Sequence, residues 1–263
     1  MTDRTFEVEG ATLAYSSVGE GPTVVVAHGL SASREVEREG KLALWDELAD
    51  AGFRVVSYDA RGHGRSTGRP VPEDYLWPNL ATDLLALVDD LSPEEPVYAI
   101  GTSMGTATII HALTRRPERF RAVALAAPPT AWETRVAQGA MYEQTAVAAE
   151  SLPAEEFAAL AASTPPPPIF ADVWVPGPPT LDPALLPSVF RGAGKSDMPD
   201  AGLVAQIDVP ALLLAWATDP GHPVSTTERL SELLRDSEAV VAEDVEQVRT
   251  WPARAAAFFA THR

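Results

Sequence analysis

The 263-residue chain contains no cysteine, which excludes a disulfide framework, a thiolate metal site and a cysteine nucleophile. It has no uninterrupted apolar run of eighteen residues, and Met1-Thr2-Asp3-Arg4 opens without a hydrophobic stretch. Neither a membrane span nor a signal peptide is therefore read, and a cytoplasmic location is expected. Positive charge is scarce: 20 Lys and Arg stand against 37 Asp and Glu, a formal net charge of −17. That field repels phosphate backbones and anionic lipid surfaces, which argues against nucleic acid and membrane partners and ordinarily keeps a protein dispersed. No two histidines sit at ligand spacing on one element, so no metal is expected. Internal repeats and charge-block tails are absent as well. What is present suffices for one sizeable α/β domain that buries its own core without staples.

Residues 5–8 and 12–18 alternate polar and apolar side chains around Glu9-Gly10, the pattern of an antiparallel hairpin at a sheet edge. Residues 23–27 are β-branched and apolar on both faces, as in a strand buried between helical layers, and 53–58, 121–127, 210–217 and 239–242 read the same way. Helical spacing is read over 42–51, 79–91, 225–235 and 251–261, with 34–41 a charged connection. Strands alternating with helices imply a mostly parallel sheet covered on both faces. Between Pro128 and Val209 the rhythm changes. Helical stretches at 134–150 and 153–162 give way to the proline clusters 164–168 and 175–179. We read residues 130–207 as a helical, Pro-rich cap inserted into a core formed by 1–129 and 208–263, its polyproline-like connectors making it a preset lid.

One stretch carries chemistry. In Val97-Tyr98-Ala99-Ile100-Gly101-Thr102-Ser103-Met104-Gly105-Thr106-Ala107 an apolar strand-like run breaks into G-x-S-x-G and then into a helix-like run. A serine hydroxyl is a poor nucleophile and must stand clear of the sheet beside a base; a tight strand-to-helix turn exposes it. The positions two before and two after the serine crowd neighbouring backbone in such a turn, which accounts for Gly101 and Gly105. G-x-S-x-G alone would arise by chance in roughly one chain of this size in fifteen, so the strand before it and the helix after it carry the reading.

Two further motifs join it in order. His28-Gly29-Leu30 follows a buried strand, and Asp59-Ala60-Arg61-Gly62-His63-Gly64-Arg65-Ser66 forms a Gly-rich loop. Together the three resemble, over nearly the whole chain, the HG-type oxyanion turn, the D-x-R-G-x-G-x-S loop and the nucleophile elbow of the α/β-hydrolase superfamily. The resemblance implies an eight-stranded, mostly parallel sheet flanked by helices, a helical cap after the sixth strand, and catalysis in the cleft between them. It implies that the Leu30 and Met104 amides hold the oxyanion. Asp219, just beyond the strand at 210–217, maps onto the acid of the triad, with Glu133 at the cap entrance a lesser alternative. His28, Trp132 and Tyr142 are candidates for contact with substrate. Phe170 and Trp174 are read as cap aromatics that line a pocket or pack the cap, and Asp59, Arg61 and His63 as braces of the cleft.

The departure from the superfamily is its base. A histidine is expected after the final strand, yet Ala242-Glu243-Asp244-Val245-Glu246-Gln247-Val248-Arg249 has none. Of the five histidines in the chain, His28 belongs to the oxyanion turn, His63 to the Gly-rich loop, His111 to helix packing and His262 to the tail. His222 remains. Asp219-Pro220-Gly221-His222 has the Pro and Gly of a type II turn, which brings the first and fourth Cα within about 7 Å, and Pro223 holds His222 extended. His222 is thus the candidate general base, oriented by Asp219. The alternative is that it decorates a turn before a helix capped by Ser225 or Thr226, leaving the serine inert.

The resulting expectation is a cofactor-independent serine hydrolase acting on an ester, thioester or lactone of a small apolar molecule, with a homodimer left open. Ser103 in place of a carboxylate argues against the alkyl-enzyme chemistry of the superfamily's dehalogenases and epoxide hydrolases. The rival is a catalytically silent small-molecule-binding protein on the same scaffold.

Overall fold

The computed structural model describes residues 3–40, 42–173 and 180–263; Trp174 and the proline cluster at 175–179 lie outside them. Among the described residues, eight strands form one sheet: β1 (Arg4–Val8), β2 (Ala11–Val18), β3 (Thr23–Ala27), β4 (Arg54–Tyr58), β5 (Val97–Thr102), β6 (Phe120–Ala126), β7 (Ala211–Trp216) and β8 (Ser237–Ala242). Their order is β1-β2-β4-β3-β5-β6-β7-β8. The β1–β2 and β2–β4 pairings are antiparallel and all the others parallel.

The central strands are apolar throughout because both of their faces are covered. Val25, Val97, Ala99, Val123, Leu125 and Leu213 enter one buried cluster, while Val24, Tyr98, Ile100, Ala124, Leu212 and Leu214 enter the other. The alternation follows the two-residue period of a pleated strand. The first face is closed by α2 (Trp77–Leu91), α3 (Met104–Leu113) and α8 (Val224–Leu233), the second by α10 (Trp251–Thr261).

Three helical readings change. Residues 42–51 yield only a short 3-10 turn at Trp45–Ala49, held by buried Trp45 and Leu48. The segment read as a charged connection is the helix α1 (Arg34–Gly40), with Glu35 and Glu37 in its first turn and Arg38 in its last. That charge order suits the helix dipole. Within the insert, besides α4 (Arg135–Ser151) and α5 (Ala154–Ala162), a helix α6 forms at Leu186–Gly194. Its Pro187 and two glycines obscure a stripe of Leu186, Val189, Phe190 and Ala193, all buried; proline costs no hydrogen bond in a first turn. A single turn, α7 (Ala201–Val204), completes the insert, and α9 (Val245–Arg249) precedes α10.

The insert meets the core at several points, among them Trp77 N donating to Ser196 Oγ (3.0 Å), Gly64 N donating to Thr180 O (2.9 Å) and Arg135 over Trp77. Buried Arg135 donates to the carbonyls of Ser196 (2.8 Å) and Ala193 (2.6 Å) and lies 4.1 Å above the Trp77 ring of α2. Leu30 packs against both the core cluster and a second cluster in which Tyr75, just before α2, meets Phe157, Leu181, Leu186 and Phe190 of the insert. Among the described residues no helix is long and apolar enough to cross a membrane.

Beside this junction the Asp59–Ser66 loop is a closed polar lattice. The buried Asp59 carboxylate accepts from Arg34 N (2.9 Å), Arg34 Nε (3.0 Å) and Arg65 N (3.0 Å). Arg61 forks onto Asp83 with two bonds of 2.6 Å. His28 and His63 lie 5.1 Å apart, ring to ring, both buried. Burial, and for His63 the proximity of His28, keep both rings neutral: His28 is lowered and His63 is driven down to about 3. A histidine depressed in the fold contributes stability above its unfolded value near 6.5 that is lost as pH falls toward the folded value. The melting temperature is therefore expected to fall between pH 6.5 and pH 3 with proton uptake on unfolding, and His63→Gln should flatten that slope in calorimetry across the range. An equal slope in the variant would remove His63 from the account.

Candidate active site

Strand β5 ends at Thr102 and α3 begins at Met104, so Ser103 alone makes the turn between them. It does so at φ 53° and ψ −110°, backbone that L-residues adopt only under constraint. The constraint is packing. A Cβ on Gly101 would lie 2.5 Å from the Gly105 carbonyl, and one on Gly105 only 2.0 Å from Ala27 O. Ser103 N donates to Ala126 O (3.0 Å), and the Thr106 hydroxyl lies 2.8 Å from both Gly101 O and Ala126 O, tying the turn to β6.

The loop after β7 meets this serine. His222 Nε2 lies 2.7 Å from Ser103 Oγ, and His222 Nδ1 lies 2.8 Å from Asp219 Oδ2. With Asp219 ionised, the ring proton belongs on Nδ1, which leaves Nε2 to accept from the serine hydroxyl. Asp219 is held as an anion: burial works against the charge, but hydrogen bonds from His222, Trp216 and Gly221 prevail and keep its carboxyl below the usual range. The side chain of Asp219 is 7% exposed and that of His222 23%, so the imidazole is reachable and the carboxylate is not.

The turn itself differs from the expected type. His222 N donates to Asp219 O (3.2 Å), as a β-turn requires, but Gly221 does not take the left-handed backbone of a type II turn. Asp219 Oδ1 accepts from Gly221 N (2.8 Å) and closes the loop instead, while the positive φ falls on Thr218 at 65°. Nor do Ser225 or Thr226 cap the next helix: α8 starts after Pro223 with no side-chain cap, and Thr226 is buried.

Met104 follows Ser103 directly, and Gly29, next to Leu30, lies so close that a Cβ on it would be 3.5 Å from Ser103 Cβ; neither the Leu30 nor the Met104 amide donates a hydrogen bond among the described residues. Met104 is the first residue of α3, where unpaired N–H groups carry the positive end of the helix dipole.

His28 does not face the cleft as a substrate contact. It is 2% exposed, its Nε2 accepts from Ala60 N (2.9 Å) of the Asp59–Ser66 loop, and its Nδ1 lies 2.7 Å from Gly29 O in its own turn, so both nitrogens are spent on backbone. Trp132 is half-buried, with its indole N–H committed to Pro199 O (3.0 Å). Half-buried Tyr142 packs on Phe190, ring centroids 5.9 Å apart. Phe170 belongs to the core, edge-on to Trp216 at 4.8 Å. Glu133 is exposed, and the Nδ1 it would have oriented is taken by Asp219. His111 bonds Asp197 O and His262 bonds Phe258 O, both remote in role from the serine.

Two residues near the site escaped the motif reading. Trp216 ends β7 and donates from Nε1 to Asp219 Oδ2 (2.8 Å). Glu37, half-buried on α1, accepts from Gly29 N at 3.4 Å and from the Thr102 hydroxyl, so it spans the His28–Leu30 turn and the residue before the serine. Their signals were faint: a Trp at a strand end, and a Glu in a charged segment. Burial pushes the Glu37 carboxyl up to about 7, against the pull of those two hydrogen bonds. An acid raised in the fold binds its proton more tightly folded than unfolded, so its cost to stability appears as pH climbs from about 4.5 through 7. Glu37→Gln is expected to gain about 2 kcal/mol of stability relative to the parent between pH 5 and pH 8, its partial exposure allowed for. Denaturant midpoints at the two pH values check this, and an advantage that does not grow with pH would contradict it.

Comparison with known proteins agrees with the fold. A family model described as alpha/beta hydrolase fold matches residues 22–172. Epoxide hydrolase A of Mycobacterium tuberculosis is 32% identical over 130 residues, 49% of this chain and 39% of that protein. Bifunctional epoxide hydrolase 2 of Sus scrofa is 34% identical over 115 residues, 44% of this chain and 20% of that protein. The matched stretches thus span less than half the length of these relatives. Among solved structures, the enol-lactonase from Burkholderia xenovorans LB400 superposes with a TM-score of 0.79 at 21% identity, covering 98% of this chain and 100% of the other. With its eight-stranded sheet, its strained serine turn and this family match, the chain belongs to the α/β-hydrolase fold family.

Proposed function

We propose that the protein is a serine hydrolase that cleaves an ester, thioester or lactone of a small apolar molecule through an acyl-enzyme on Ser103. The observation that carries this reading is the unbroken hydrogen-bond chain from Asp219 through His222 to Ser103, 2.8 Å and 2.7 Å long. As Ser103 Oγ bonds to the substrate carbonyl carbon, its proton passes to His222 Nε2, and Asp219 stabilises the imidazolium. The carbonyl oxygen becomes an oxyanion facing the Leu30 and Met104 amides; each such donor contributes about 3 kcal/mol to the transition state. Collapse expels the alcohol, thiol or tethered hydroxyl, which takes the proton from His222. Water then enters by the same steps in reverse and frees the acid. No cofactor takes part.

The helical insert, residues 130–207, serves in this reading as the cap over the core of 1–129 and 208–263, and Trp132 and Tyr142 are its candidate contacts with the acyl group. The likeness to an enol-lactonase supports a carbonyl substrate. The epoxide hydrolase relatives weigh less, because a serine at the nucleophile position cannot supply the carboxylate that an alkyl-enzyme ester requires.

His222→Ala is expected to lower kcat/KM on an activated short-chain ester by about a thousandfold. A fluorophosphonate should label Ser103 of the parent and leave Ser103→Ala unlabelled. Unchanged turnover in His222→Ala would remove His222 as the base, and no labelling of Ser103 in the parent would favour a silent binding protein.

A further inference from the structure

The acid and the base of this site hang on one loop, three residues apart, where neither anchors the other from a separate strand. Such a loop closes its internal hydrogen bonds whatever its orientation to the serine, so something outside it must fix the Asp219 carboxylate. We propose that Trp216 is the positioning residue that does so, through its indole N–H; the proposal rests on the reading of Ser103, His222 and Asp219 given above.

Three donors converge on Asp219. Oδ1 accepts from Gly221 N (2.8 Å), within the loop, and Oδ2 accepts from both His222 Nδ1 (2.8 Å) and Trp216 Nε1 (2.8 Å). Of these, only the indole N–H comes from the sheet itself. Trp216 is the last residue of β7, in register with Ala242 at the end of β8. Its ring has little freedom. It is stacked on buried Trp251, the first residue of α10, at 5.5 Å with the planes 2° apart, and Phe170 meets it edge-on at 4.8 Å. The same ring meets His222 at 5.4 Å with the planes 78° apart. One locked side chain therefore holds the acid by its N–H and backs the base with its ring. The segment after β8, which bears no histidine here, takes part through Trp251 at the start of α10, and β8 itself through the Trp216–Ala242 pairing. Partners that orient a functional side chain in this way typically change activity ten- to a hundredfold when removed.

The test is Trp216→Phe, which keeps an aromatic ring in the stack and removes the N–H. On the activated ester we expect kcat to fall about tenfold with KM unchanged. A cycle with His222→Ala separates positioning from mere packing: once the base is gone, Trp216→Phe should cost nothing more, since residues acting as a unit are not additive. An undiminished kcat in Trp216→Phe, or losses that multiply in the double variant, would overturn the proposal. A His222→Ala variant that is itself fully active would instead overturn the reading of His222 as the base on which the proposal rests. Proton NMR then decides on Trp216 without turnover, because the far-downfield His222 Nδ1–H resonance should shift in Trp216→Phe, and a resonance that stays put contradicts the proposal. If Trp216→Phe does not fold, Asp219→Asn serves: the Trp216 indole proton loses its ionic acceptor and should move upfield, and an unmoved signal would overturn the assignment.

Discussion

A serine hydroxyl gives up its proton only to a base held in line with it, and in the proposed reaction that alignment is the 2.7 Å contact between His222 Nε2 and Ser103 Oγ. The two atoms belong to residues 119 positions apart, so the contact exists only because β5 and β7 run parallel on either side of β6 and end at the same edge of the sheet. The doubly covered core makes that edge rigid. Apolar side chains alternate into two clusters along every central strand, and each fully buried Val, Leu or Ile contributes about 1.5–3 kcal/mol. That stability offsets the local cost of the loops it carries.

The cost is concentrated where the strands end. Ser31, Ser103, Ala127, Trp132 and Thr218 all have positive φ without being glycine, and each follows the C-terminal end of β3, β5, β6 or β7. Such residues cost of order 1–3 kcal/mol apiece and persist only where surrounding structure over-determines them. Here the surroundings are specific. Gly101 and Gly105 admit the serine turn, Arg135 ties the Ser196 loop after α6 to the Trp77 ring of α2, and the Asp59 carboxylate holds the chain just after the His28–Leu30 turn through Arg34 N. His28 and Glu37 belong to that support, not to the cleft wall.

Much of this was legible in the chain because it rests on exclusion. Few residues other than glycine fit at 101 and 105, and a central strand between helical layers must be apolar on both faces, so the elbow and the parallel strands read directly. The encounter of Asp219 with His222 read from a scarcity of histidine and a Pro-Gly turn, although the turn closes through the Asp219 carboxylate and not through a left-handed glycine. Helices α1 and α6 were hidden because tertiary partners make them: Arg34 pairs with Asp59 across the fold, and the apolar stripe of α6 matters only once the insert packs. Trp216 and Glu37 were illegible for a related reason. A tryptophan at a strand end and a glutamate in a charged segment become informative only when rotamer and depth are known.

Time-resolved mass spectrometry after mixing with an activated ester tests the central claim most directly. The parent is predicted to accumulate one acyl group on the peptide containing Ser103 before steady turnover, and His222→Ala to acylate slower by about three orders of magnitude. Acylation of Ser103 at the same rate without the imidazole, or of a different residue in the parent, would contradict the account.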